Sequence, residues 1–95
     1  MSTLHVLSHS PFSDTRLGSC LRLLGSDDAL LLSGDAVYAV LPQGSALTPL
    51  QEKTVFILEE DLLARNLDCP QWATCVDYPA FVELSIRYDK VNSWL

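Results

Sequence analysis

Cations are scarce in this sequence. Six lysines and arginines stand against twelve aspartates and glutamates, a formal charge of −6, and such a surface repels phosphate backbones unless its few cations cluster. Arg16, Arg22, Lys53, Arg65, Arg87 and Lys90 do not cluster; they have the spread of solvated surface positions, so direct nucleic-acid binding is not expected. Long apolar runs are also missing, and no stretch approaches membrane-spanning length. The opening segment MSTLHVLSHSP has no cationic n-region, which argues against a secretory signal. Cysteine is sparse: three residues, an odd count, with no C-x-x-C pair, imply reduced thiols in a cytoplasmic protein. With only four glycines, no glycine-rich phosphate loop follows the first predicted strand, and dinucleotide binding is disfavoured. Two histidines near one end and three dispersed cysteines supply no recognised zinc-ligand spacing. Neither a metal nor a cofactor is expected.

What is present is apolar side chain in the right quantity for one core. A 48% apolar content over 95 residues suits a single domain spanning 1–95, though the chain is short for a stand-alone enzyme with a deep cleft, so a partner subunit is plausible. Leu4 to Leu7 read as a first strand, ended by the turn Ser8-His9-Ser10-Pro11. Ser13 as N-cap, Asp14 at the positive end, and Leu17, Cys20, Leu21 and Leu24 at i, i+3, i+4 and i+7 predict a helix that Gly25 closes in the C′ position. Ala29 to Leu32 and Val55 to Leu58 have the unbroken apolar character of strands buried on both faces. Asp35 to Leu41 suits a short helix or an extended piece, of which the helix is favoured, and Gln43 to Gln51 reads as a loop. Glu59-Glu60-Asp61 seed a helix that Asn66 terminates, Thr74 to Val76 form a shorter strand, and Asp77 caps a last helix with Pro79 in its first turn, reaching about Tyr88. Alternating strands and helices with two-sided apolar strands indicate a three-layer α/β/α sandwich on a small, mostly parallel sheet.

Five groups of residues have the types that carry chemistry. Cys20 lies in the second turn of its helix, beyond the reach of the dipole that lowers a thiol pKa, with Arg16 at i−4. Two readings stay open: thiol chemistry, or packing within the leucine stripe, where free cysteine is commonly buried. Ser8-His9-Ser10 sits at the carboxyl end of the first strand, the edge where open α/β sheets bind ligands; His9 there is either an acid–base group or a turn residue. Asp27-Asp28 precedes its strand, the wrong end for a receiver-type cation site, and Glu59-Glu60-Asp61 is accounted for by dipole complementarity. Cys69 and Cys75 are close enough in sequence to pair, but neither has a base beside it.

The ordered set LHVLSHSP, DALLLSGDAVYAV, VFILEEDLLARNL and VDYPAFVELSIRYDKVNSWL resembles the TusB/DsrH family of sulfur-relay subunits over nearly the whole chain. The most specific portions are Leu58 to Leu62, Val76 to Leu84 and Ser93-Trp94. The resemblance implies a DsrE/DsrF/DsrH-like sandwich and a place in a heterohexamer with TusC-like and TusD-like subunits. It implies an accessory role: persulfide sulfur leaves through a TusE-like acceptor and ends as the 2-thio group of a tRNA wobble uridine, while the relay cysteine belongs to the TusD-type subunit. Some members keep a cysteine in the first helix, which makes Cys20 the candidate catalytic residue of an alternative, a DsrH-type persulfide carrier in sulfur oxidation. A third reading is a stand-alone small-ligand module using Ser8-His9-Ser10. For a docking subunit, Tyr38, Val40, Trp72, Phe81 and Trp94 are the expected spare apolar surface.

Overall fold

The computed structural model describes residues 2–10, 16–41 and 53–94, with backbone only at Leu17. Along them run β1 (Thr3–Leu7), α1 (Arg16–Leu23), β2 (Ala29–Leu32), a 3-10 helix (Gly34–Val40), β3 (Val55–Leu58), α2 (Glu59–Ala64), β4 (Thr74–Val76), α3 (Tyr78–Arg87) and β5 (Lys90–Trp94). The strands form one sheet in the order β4-β3-β2-β1-β5, and every pairing is parallel. Side chains alternate across each strand, so each strand feeds two cores. Leu7, Leu30, Leu32, Val55 and Ile57 pack with Cys20 of α1, with Ala36, Val37 and Ala39 of the 3-10 helix and with Leu62 of α2. Leu4, Ala29, Leu31 and Val76 pack on the opposite face beneath Leu84 of α3. This is the expected α/β/α sandwich.

Local chemistry explains the element ends. Asp77 caps α3 by accepting from the Ala80 N–H at 2.9 Å, with Pro79 in the first turn. Asn66 ends α2 in the left-handed region at φ 55°. Gly34 holds φ 51°, where L side chains are strained, and a Cβ there would crowd the Ser8 carbonyl oxygen at 3.2 Å, so conformation and space both favour glycine. The expected helix over Asp35 to Leu41 is a 3-10 helix, shifted to begin at Gly34.

Three expectations change. β5 was not foreseen: KVNSW is mostly exposed and lacks the apolar pattern of the inner strands, yet it pairs with β1 from Thr3↔Lys90 to Leu7↔Trp94. Gly25 does not cap α1 in the left-handed region; among the described residues Gly34 is the glycine with positive φ, and the Gly25 N–H is taken by the Asp28 carboxylate at 2.9 Å. The spare apolar surface is elsewhere, because Val40, Trp72, Phe81 and Trp94 pack against the two cores and Tyr38 is half-buried under Arg65. The expected Ser13 cap, the Asp14 dipole contact and the loop over Gln43 to Gln51 lie outside the described residues.

Candidate functional site

Cys20 sits on the inward face of α1 with 0% of its surface exposed, among Leu7, Leu30 and the 3-10 helix. Burial, reinforced by the nearby Asp28 carboxylate, pushes its thiol up to about 12. At neutral pH the sulfur is therefore a protonated, shielded thiol, the opposite of the exposed thiolate that accepts sulfur from a donor.

Asp28 organises the N-terminal edge of the sheet. One carboxylate oxygen accepts from the Thr3 N–H at 2.9 Å, and the other accepts from Gly25 and lies 3.6 Å from His5 Nε2. The Gly25 hydrogen bond holds the Asp28 carboxyl below its ordinary range, against the effect of burial and aided by Thr3 and His5. His5 is buried at 6% exposure, and its Nδ1 accepts from Trp94 Nε1 at 3.1 Å. An indole N–H only donates, so the imidazole proton lies on Nε2, facing Asp28. Asp28, His5 and Trp94 thus link the α1–β2 turn, β1 and β5 in one chain of polar contacts. Sequence reasoning missed this set; its signal was a histidine at an inward position of a strand, followed much later by an aromatic donor in an otherwise polar segment.

The carboxyl edge carries the Ser8-His9-Ser10 turn at the switch point where β2 departs on one side of β1 and β5 pairs on the other. Beside it, the Ser33 N–H and hydroxyl both donate to the Leu7 carbonyl. Asp61 accepts from Gly34 N–H at 2.7 Å and lies 3.7 Å from Arg65, which also donates to Asp35 at 2.9 Å. The acids opening α2 therefore do more than complement its dipole: Asp61 ties the helix to the 3-10 segment. Two cavities are lined elsewhere. One of about 410 Å³ lies among Leu24, Gly25, Ser26, Asp28, Lys53 and Thr54. The other, of about 290 Å³, is walled by Leu62, Leu63 and Leu67 of α2 and its exit, with Glu59, Asp68, Cys69 and Cys75. Neither is lined by His9.

The expectation of three reduced thiols is corrected at Cys69 and Cys75, which are joined in a disulfide with Cα atoms 6.3 Å apart. A turn closed by the Ala73 N–H to the Pro70 carbonyl brings Cys69 back over β4. Cys20 is the free cysteine.

Large apolar side chains left exposed cluster on α3. Tyr78, Val82 and Ile86, at i, i+4 and i+8, are 53%, 55% and 78% exposed. They lie opposite the inward residues Ala80, Phe81 and Leu84, so α3 is apolar on both its faces. Val91, also exposed, pairs with Leu4 and so points to the side that α3 covers. Leu23 and Leu63 are exposed on the other layer.

Comparison with known proteins gives one answer. The family model described as DsrH like protein matches residues 9–91. The chain is 36% identical to Protein TusB of Yersinia enterocolitica over 96 residues, covering 96% of this chain and 99% of that one. Protein TusB of Yersinia pestis strain Pestoides F gives the same identity and coverage over 95 residues. Among solved structures, the ychN protein from E. coli superposes with a TM-score of 0.71 over 99% of this chain and 100% of its own, at 20% identity, a likeness of fold. Together, the DsrH-like match over most of the sequence and the near full-length TusB relatives make this chain a member of the TusB/DsrH family.

Proposed function

We propose that residues 1–95 act as one domain, the TusB-type subunit of a cytoplasmic sulfur-relay complex of the TusBCD kind. It docks TusC-like and TusD-like subunits so that persulfide sulfur passes through another chain's cysteine to a TusE-like acceptor and on to 2-thiolation of the tRNA wobble uridine. The observation that carries this reading is the environment of Cys20, fully buried with a thiol raised to about 12. A chain whose first-helix thiol is closed to solvent contributes by assembly. The apolar outer stripe of α3 supports the same view, because a surface helix rarely leaves three large apolar side chains in water without a partner. The acidic surface fits as well, since sulfur is handed between proteins before RNA is touched.

Co-expression with the TusC-type and TusD-type proteins of the same organism tests this. The chains should co-elute on size-exclusion chromatography as one hetero-oligomer. Ile86→Glu, at an exposed position that leaves the fold intact, should weaken association by about tenfold or more by placing a charge in an apolar contact. Elution of this chain alone as free monomer would overturn the reading.

A further inference from the structure

The assembly proposed above assigns no role to Cys69 and Cys75. Cys69 is exposed in the α2–β4 connection, and Cys75 is half-buried on the edge strand β4, where it pairs with Ile57. Contacts other than the bond between them also hold them close. Asn66 turns the chain at φ 55°, the Leu67 N–H donates to the Leu62 carbonyl at 2.9 Å, and Leu67, Trp72 and Ala73 pack against the core. The two sulfurs therefore stay neighbours when reduced. They also border the apolar 290 Å³ cavity of Leu62, Leu63 and Leu67, which gives a donor somewhere to rest. In the cytoplasm proposed above, disulfides are uncommon and, where found, are chiefly transient, catalytic or redox-sensing.

We propose that Cys69 and Cys75 are a dithiol pair that discharges persulfide sulfur as sulfide, and that the disulfide is the product state of that reaction. In the first step the Cys69 thiolate takes the outer sulfur of a persulfide R–S–SH; its S–S bond breaks, a new one forms to Cys69, and R–SH is released. In the second, the Cys75 thiolate attacks the Cys69 sulfur of Cys69–S–SH, forming the Cys69–Cys75 bond and expelling hydrosulfide. The sulfane sulfur gains two electrons and the two cysteines lose them. A dithiol reductant reopens the pair. Cys69 accepts because it is exposed; Cys75 resolves because it is held beneath.

The choice of a persulfide rests on the sulfur-relay reading, but the chemistry is read on the isolated full chain, so its failure leaves the co-elution result standing, and the reverse holds too. Reduced, desalted chain is given cysteine persulfide. Sulfide is then measured above a protein-free control, and the peptide carrying residues 69–75 is weighed after alkylation. The wild-type and Cys20→Ala chains should release about one equivalent of sulfide per chain, with the peptide recovered as the disulfide. Cys75→Ser should retain an extra sulfur on Cys69 and release about tenfold less sulfide, and Cys69→Ser should neither gain sulfur on this peptide nor release sulfide above the control. A wild-type chain that keeps the extra sulfur on Cys69, or releases no more sulfide than Cys69→Ser, overturns the proposal.

Discussion

Asp28→Ala should lower the unfolding free energy by about 2–3 kcal/mol in urea titration, because two charge-assisted hydrogen bonds are lost at once. The carboxylate accepts from Thr3 and Gly25, both at 2.9 Å, and faces His5 Nε2 at 3.6 Å. Removing it leaves the start of β1 and the α1–β2 turn without an acceptor and the buried imidazole without its counterpart. Asp28→Asn keeps one oxygen acceptor and should fall between wild type and alanine. The pH dependence has a definite sign. The folded carboxyl lies below its ordinary value of 3.8, first through the Gly25 hydrogen bond. Its contribution is complete above that value and disappears as pH falls through the lowered folded one. The acid limb of the stability curve should flatten in Asp28→Asn.

Cys20 separates packing from chemistry through two substitutions. Cys20→Ala removes one buried sulfur from the cluster with Leu7, Leu30 and Val37 and should cost about 1–2 kcal/mol, the scale of a small cavity. Cys20→Asp places a charge in the same fully buried space, near the Asp28 carboxylate that already raises the native thiol. An unpaired buried charge should cost about 3–5 kcal/mol, enough to unfold a domain of marginal stability. Wild-type stability should also decline as pH rises above 9.0, the thiol's ordinary value, toward the folded value of about 12, a decline that Cys20→Ala lacks. Thermal unfolding of the three chains from pH 7 to 10 measures both effects.

The inner sheet was legible because burial on both faces leaves a plain mark. ALLL and VFIL admit little besides buried parallel strands, and Asp77 with Pro79 marks a helix start in any context. β5 was not, since an exposed edge strand held by backbone pairing to β1 needs no apolar pattern of its own. Cys20, Leu21 and Leu24 point inward as their spacing suggests, but the Asp28–His5–Trp94 contacts join residues far apart in sequence, and no local periodicity encodes them. The apolar surface was misplaced for a related reason. Tryptophan and phenylalanine look like spare area in a sequence, yet Trp72, Trp94 and Phe81 pack half-buried against the cores, while the smaller Val82 and Ile86 lie on the outer side of α3 and stay exposed. The Cys69–Cys75 pair depended on a turn at Pro70 that composition alone does not orient.

In the proposed function this chain serves sulfur relay by assembly and not through its first-helix thiol. The most direct measurement is the 2-thiouridine content of tRNA in cells whose only copy of this subunit is Cys20→Ala, with co-elution of the complex checked in the same cells. Thiolation at the wild-type level is the predicted result. Loss of thiolation while the Cys20→Ala complex still assembles would contradict the account.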